Sequence, residues 1–396
     1  MLLGGLRYLL PVIDAAHKLG MYVITCDYLP DNIAHQYSDE YHNVSIIDKE
    51  AVLELACRLK IDGIMSFAVD PGVVTAAYVA EKMGLPNVGP YESVCILQDK
   101  AKFRDFLRKH GFNCPWSYGF SDVTKVCETD YQFSYPAIVK PSDAAGSKGV
   151  RRVDSAAALP DALEYAASYS LSGRIIVEEF LEKRGCSSGS EAFVENGVVT
   201  FISFASQRFD ASAANPYTPS GTSWPSTFDA DEELYLKSEI ERLIRLLGMK
   251  SGIYNIEARV ADNGKPYIME VSPRGGGNRL AEMLQLATGA PLIDNAVRAA
   301  VGMECLPLPP CVYNGHWMLT MLHSDKVGIF KRLHIREDYA PFVAELDLWV
   351  KEGDAVKTFN GANDAIGSVF FHCCSQSQIE DIVEHMNEIV EIEVES

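Results

Sequence analysis

The stretch YNIEARVADNGKPYIMEVSPRGGGN, residues 254–278, constrains this chain more than any other. Its Asn263-Gly264 pair is a strong hairpin signal, because a type I′ turn needs positive φ at both central residues. A turn centred there pairs Asp262 with Lys265. Counting outward from the tip sets Glu257 opposite Glu270 and Asn255 opposite Ser272. Side chains alternate faces along a strand. One face is therefore expected to carry Asn255, Glu257, Arg259, Ile268, Glu270 and Ser272. The other, with Ile256, Ala258, Val260, Tyr267, Met269 and Val271, reads as a core face. Like charges directly opposite one another destabilise a sheet, so something positive is expected between the two glutamates.

The rest of the 396-residue chain has room for two or three domains. A formal charge of −19 argues against nucleic acid or an anionic membrane as partner. Any anion site must then be built from local Lys, Arg and backbone N–H groups. Ten cysteines without CxxC or zinc spacing suit a reducing cytosol, and the vicinal Cys373-Cys374 reads as packing. The first residues do not read as a signal peptide, and no apolar run here approaches the length of a membrane span. A soluble, cytoplasmic protein is the expectation.

Residues 1–90 alternate strand and helix, which implies a parallel sheet with right-handed crossovers. The strand at Met1 is very short and reads as an edge or as trimmed. Gly4-Gly5 reads as a tight turn, and the absence of GxGxxG argues against a dinucleotide oxidoreductase. From about residue 91 the texture becomes α+β. QDKAKFRDFLRKHG is an amphipathic helix, Asn196-Gly197 marks a second hairpin, and FDADEELYLKSEIERLIRLLGMKSG is a helix with an Asp N-cap and a Gly stop. ANPYTPSGTSWPSTF, residues 214–228, reads as a lid or substrate loop or as plain disorder. CLPLPP after residue 303 looks like a linker into a third unit of strands and a closing helix.

Four constellations carry chemistry. The hairpin offers carboxylate, hydroxyl and amide oxygens with no nearby His or Cys, a set suited to a hard cation such as Mg²⁺ rather than zinc. The alternative is a solvated strand face with two repelling acids. IVKPSDAAGSKGV, residues 138–150, delivers Lys140 to a small-residue loop containing Lys148, where backbone N–H groups can close on phosphate. It lacks the Walker pattern and also reads as an ordinary turn. IIVEEFL, residues 175–181, is a strand whose end offers backbone groups and an apolar wall to an adenine ring, or is simply a strand end. SPRGGGN places Arg274, a planar fork for carboxylate or phosphate, before a glycine run that allows close backbone approach or forms a mobile loop.

In this order and spacing, these signals resemble the ATP-grasp superfamily across nearly the whole chain. The nearest flavour is the carboxylate–amine ligases related to biotin carboxylase, carbamoyl phosphate synthetase and L-amino acid ligases. The resemblance implies an α/β plus α+β, ATP-grasp architecture. It has a Rossmann-like pre-ATP-grasp domain over 1–90, an ATP-grasp domain over 91–302 and a C-terminal lid domain over 303–396. It implies that Lys100 and Lys140 meet nucleotide phosphates, and that Ala145, Gly146, Ser147 and Lys148 belong to a flap over them. Glu178, Glu179, Phe180 and Leu181 would form the hinge that reads the adenine edge, largely through backbone, and Glu191 would lie near the ribose. Glu257, Glu270 and Ser272 would hold metal. Arg274 would hold substrate and phosphate, with Gly275, Gly276, Gly277 and Asn278 beside it, and Arg274 and Lys140 would act in catalysis. The family's E-x-N-P-R pattern has Asn where this chain has Ser272, whose hydroxyl can still ligate Mg²⁺ or hold a coordinated water. The phosphate loop is also poorer in glycine than the family's.

The implied activity is ATP-dependent activation of a carboxylate as an acyl phosphate and its coupling to an amine, releasing ADP and phosphate. ATP would act with one or two Mg²⁺, Mn²⁺ being a substitute. The partners would be small-molecule carboxylates and amines, and a homodimer is compatible with the family. Open alternatives are carbamoyl-phosphate-synthetase-like, carboxylase or kinase activity on bicarbonate or another small acid, and a glycinamide-ribonucleotide-type purine ligase. A non-catalytic ATP-binding module would be expected to lack the metal carboxylates or phosphate lysines, and both sets are present. No residue stands out as general base.

Overall fold

The computed structural model describes residues 1–123, 126, 131, 133–144, 146, 148–210 and 218–395. Its first layer is a four-stranded parallel sheet in the order Glu40–Asn43, Ile24–Asp27, Leu2–Leu3, Met65–Ser66. Leu2–Leu3 is short but is not an edge. It pairs with Thr25 and Cys26 on one side and with Met65 and Ser66 on the other. Both leucines are buried, as a strand covered on two faces requires. Helices Leu10–Lys18, Lys49–Leu59 and Asp70–Met83 accompany this sheet.

The helix expected from QDKAKFRDFLRKHG is Lys100–Lys109, set off at Asp99 from a preceding helix, Tyr91–Gln98. The Asp99 carboxylate accepts the N–H groups of Ala101 and Lys102, an N-cap that starts the second helix at Lys100. Phe103, Arg104 and Leu107 form its buried face.

Two antiparallel sheets follow. The smaller has the order Ser117–Phe120, Ile175–Glu179, Ala137–Pro141, Arg151–Val153, and helix Leu159–Tyr169 packs on it. The larger has the order Val198–Ile202, Ser188–Glu195, Gly252–Val260, Pro266–Ser272. Helix Ala230–Leu246 covers one face of it with Leu236, Ile240, Leu243 and Ile244. Asp229 and Glu232 close a capping box at that helix's start.

In the opening hairpin Glu257 pairs with Glu270 and Asn255 with Ser272, as expected. The route to that register differs. Gly264 has φ of 74°, whereas Asn263 is not among the positive-φ residues, so the turn is not type I′. Ala261 instead faces Lys265 across a three-residue loop, with the Gly264 N–H donating to the Ala261 carbonyl. Near the tip the pairs are Val260–Pro266, Arg259–Tyr267 and Ala258–Ile268, and Met269 is then the extra residue of a β-bulge. Ile268 therefore joins the core face with Ala258. Tyr267 and Met269 turn to the other side, beside Leu181 and Ala261.

The segment 214–228 also departs from expectation. Residues 214–217 lie outside the described residues, but Pro219–Trp224 is a strand, not a lid. It pairs with Ser206–Phe209 and with His316–Leu322. Its small hydroxyl side chains are buried because they find partners there; the Ser223 hydroxyl, for example, accepts from the Arg208 guanidinium. The five-stranded sheet of the last unit, in the order 206–209, 219–224, 316–322, 367–373, 343–348, thus takes two strands from before residue 303. A three-stranded sheet of Ala355–Val356, Gly328–Ile335 and Val390–Glu395 lies beside it in sequence. Among the described residues no helix is long and apolar enough to cross a membrane.

Trp224 is 1 % exposed, pairs with Trp317, and donates its indole N–H to the Ser203 hydroxyl at 3.1 Å. Trp224→Ala is expected to lower unfolding free energy by about 3–5 kcal/mol, read by chemical denaturation. A lid residue in this position would change substrate affinity with little loss of stability.

Candidate active site

The hairpin face, the Lys100 helix and the smaller sheet converge on one cluster. Lys100, set at the first position of its helix by the Asp99 cap, supplies the positive charge expected between the glutamates. Its Nζ lies 3.3 Å from Glu270 Oε2 and donates to the Ala144 carbonyl at 3.0 Å. Burial opposes the Lys100 charge, but Glu270, Asp70 and Glu257 outweigh it and raise the ammonium above its ordinary value. Burial, then the facing Glu270 charge, push the Glu257 carboxyl up; Lys100 and Arg259 pull against this. The Glu257 carboxylate is thus left under-neutralised, a condition that an additional cation relieves.

Lys140 enters from the smaller sheet and donates to Glu178 Oε1, while Arg104 Nε donates to Glu178 Oε2 at 2.9 Å. The same guanidinium donates through Nη1 to the Met269 carbonyl, which the bulge turns out of the ladder. Glu178 is 2 % exposed, and its side chain holds Lys140. Burial works against its ionisation, but Arg104 and Lys140 prevail and hold the carboxyl down at about 2. Burial and the nearby Arg104 and Lys100 charges keep the Lys140 ammonium below its ordinary value despite Glu178.

The strand end after Glu178 forms one wall. Leu181 clusters with Ala261, Tyr267 and Met269, Phe180 stacks under the Arg152 guanidinium, and a Glu179 carboxylate oxygen accepts from the Trp116 N–H. In the small-residue loop Asp143 is anchored by Ser170 and by the N–H groups of Leu171 and Ser172. Gly146 has φ of 69°, and Lys148 is exposed. Ala145 and Ser147 lie outside the described residues.

The glycine run is packed rather than loose. A Cβ at Gly275 would sit 2.3 Å from the Phe67 ring, and one at Gly276 would sit 2.4 Å from Glu191 Oε1. Glu191 lies beneath this run. At 1 % exposure, its Oε1 accepts the Gly276 N–H at 2.8 Å and the Asn255 amide at 3.0 Å. Burial pushes its carboxyl up to about 8. Asn278 and Arg279, with φ of 53° and 61°, end the run in the left-handed region. Tyr8 donates to Asn278 Oδ1 at 3.1 Å.

Arg274 is gripped by a residue that sequence reasoning missed. Asp70, at the start of its helix in the first unit, accepts from Arg274 Nε at 2.9 Å and Nη2 at 2.6 Å. Nothing in AVDPGVV separates it from an ordinary acidic helix start. Arg104 was missed too, although it lies four residues after Lys100 on an otherwise apolar face, a spacing that puts both on one side of the helix.

As for what the site could hold, no group of three or more His, Cys, Asp or Glu side chains suited to a metal occurs among the described residues. Two facing carboxylates plus a hydroxyl are too few for a closed protein cage. They fit Mg²⁺, which takes one or two carboxylates and completes its shell with phosphate and water.

Comparison with known proteins agrees with this geometry. Residues 97–278 match the family model described as the ATP-grasp domain. The carbamoyl phosphate synthase large chain of Thermoanaerobacter sp. (strain X514) is 25% identical over 290 residues, 72% of this chain and 26% of that one. The chain thus spans about a quarter of that relative's length. The uncharacterized protein y4rH of Sinorhizobium fredii is 26% identical over 349 residues, 84% of this chain and 68% of that one. Among solved structures, L-amino acid ligase from Bacillus licheniformis superposes with a TM-score of 0.80 at 19% identity, covering 100% of this chain and 98% of that one. Phosphoribosylglycinamide synthetase from Anaerococcus prevotii gives 0.77 at 22%, covering 100% and 98%. The biotin carboxylase domain of Hydrogenobacter thermophilus 2-oxoglutarate carboxylase, in complex with MgADP and bicarbonate, gives 0.73 at 16%, covering 99% and 90%. At these identities the structural matches establish the fold.

Because Glu178 is held at about 2 against an ordinary 4.5, its contribution to stability is full above pH 4.5 and is lost as pH falls toward 2. The loss is on the order of 3 kcal/mol. Glu178→Gln should cost about 3–5 kcal/mol near neutrality by leaving two buried cations short of an anion. In denaturant titrations, the gap between wild type and variant should narrow steadily as pH drops from 5 to 2.

Proposed function

From the premise that the chain belongs to the ATP-grasp superfamily, we propose that it is an ATP-dependent ligase. It activates a carboxylate as an acyl phosphate and joins it to an amine, with release of ADP and phosphate. The observation that carries this reading is the facing of Glu257 and Glu270 on a strand pair met by Lys100, with Lys140 and Arg274 nearby.

A free carboxylate resists nucleophiles because its charge repels them and its oxygen leaves badly. Phosphorylation removes both obstacles. The carboxylate oxygen attacks the γ-phosphorus and the bond to the ADP oxygen breaks. The amine nitrogen then attacks the carbonyl carbon of the acyl phosphate, the carbon–oxygen bond to phosphate breaks, and the nitrogen gives up a proton as the amide forms. When bound, Mg²⁺ supplies charge neutralisation at the β- and γ-phosphates. Glu257, Glu270 and Ser272 are the residues that would hold it. Lys100 and Lys140 lie where they can offset charge on the transferred group, Lys140 being held in place by Glu178. Arg274, fixed by Asp70, orients the acceptor. The strand end Glu179–Leu181 with Met269 and Tyr267 offers an apolar wall to the base. The packed Gly275–Gly276 backbone would approach the acceptor closely, and an acyl phosphate requires that water be kept out.

A second reading, favoured by the carbamoyl phosphate synthase relatives and by the bicarbonate-bound carboxylase of the same fold, takes bicarbonate as the activated acid.

Phosphate and ADP release, measured over a panel of organic acids and bicarbonate with and without amines, separates these readings. Release that requires both an organic acid and an amine, with the coupled product found by mass, is expected. Release that never depends on an amine removes the ligase reading. Glu270→Gln should lower turnover by on the order of a hundredfold or more with an unchanged thermal midpoint. Full activity of that variant with Mg²⁺ would show the metal assignment to be wrong.

A further inference from the structure

Ser272 stands where the family pattern has an amide, and a hydroxyl is an ambivalent ligand. It has one proton and two lone pairs, and the proton can rotate into the path of a cation. In this chain the rotation is blocked. The Ser272 hydroxyl donates to Asp70 Oδ1 at 2.8 Å and accepts from Gln98 Nε2 at 2.9 Å. Its proton and one lone pair are thereby committed, and a single lone pair remains. Ser272 shares its strand face with Glu270, two residues before it, and lies opposite Asn255, which shares the other strand's face with Glu257.

Resting on the reading of Glu257, Glu270 and Ser272 as the metal side of the site, we propose that Asp70 and Gln98 are positioning residues that make the Ser272 hydroxyl a metal ligand. Both approach from outside the hairpin. Asp70 opens helix Asp70–Met83, and Gln98 ends helix Tyr91–Gln98. The Asp70 carboxylate also grips Arg274 through both oxygens, so one acid orients the metal-facing hydroxyl and the acceptor-facing guanidinium together. Outer partners of metal ligands commonly change metal affinity by 10- to 100-fold when removed. An amide oxygen at position 272 would be an acceptor in any rotamer that faces the metal and would need no such partner.

The test uses Mn²⁺ with ADP as probe on the full chain, with free Mn²⁺ read by electron paramagnetic resonance and folding checked by thermal melts. Ser272→Ala is expected to weaken Mn²⁺ binding about tenfold, and Asp70→Asn and Gln98→Met to weaken it several-fold. Ser272→Asn should retain it, and adding Asp70→Asn to Ser272→Asn should change it little. Equal Mn²⁺ affinity in wild type and Ser272→Ala would overturn the proposal. So would an Asp70→Asn effect of the same size in the wild-type chain and in the Ser272→Asn variant, because orientation of a hydroxyl would then not be its cause. A wild-type chain that fails to bind Mn²⁺ with ADP at all removes the ATP-site reading itself, and this proposal with it. Binding that is present but insensitive to Ser272 removes the proposal alone.

Discussion

Arg104 ties the site together. A guanidinium 1 % exposed is several kcal/mol out of place unless its N–H groups meet acceptors, and here the acceptors come from two different sheets. Glu178 belongs to the smaller sheet, and the Met269 carbonyl belongs to the hairpin of the larger. Neither sheet can shift without stranding this charge. Lys100, one turn earlier on the same helix, points its ammonium toward Glu270. A single helix face thus carries one cation that fixes the frame and another that meets the facing acids of the hairpin. Glu178 repeats the division of labour, since the acid that satisfies Arg104 also holds Lys140.

The hairpin shows both the reach and the weakness of reading by letters. The glutamate pair was legible, but through two errors that cancel. The tip has three loop residues rather than two, and the bulge at Met269 restores the lost step. Asn196-Gly197, the same dipeptide, does adopt positive φ at both residues, 51° and 82°. What distinguishes the two tips is not the turn sequence. At the later hairpin, the buried Arg104 needs a carbonyl, and the bulge supplies one. Tertiary demand of this kind leaves no mark on a local pattern, and for the same reason Ile268, Tyr267 and Met269 exchange faces.

Composition misled at residues 214–228, where Ser, Thr, Pro and Gly suggested an open loop. Hydroxyl side chains satisfy their own polarity inside a sheet when a guanidinium or a carbonyl is near, as at Ser223 and Arg208. Three glycines in a row left close backbone approach and a mobile loop both open, and Gly275 and Gly276 are glycines because Phe67 and Glu191 occupy the space of a side chain. Long-range partners such as Asp70 were invisible, because a helix-starting acid looks the same whether it caps a helix or clamps an arginine two hundred residues away in the chain. The ordered series Lys100, Lys140, Glu178, Glu257, Glu270 and Arg274 was legible because each member is charged in an apolar or small-residue context.

The interleaved five-stranded sheet bears on how the chain is made. Trp224 leaves the ribosome about ninety residues before Trp317, the residue it faces. Until then 206–209 and 219–224 are a two-stranded ribbon with an open edge that carries a large indole. Non-local pairing of this sort slows folding and leaves a template for wrong partners. The nascent chain therefore exposes that edge after the two sheets joined by Arg104 are complete and before the last unit has emerged to shelter it.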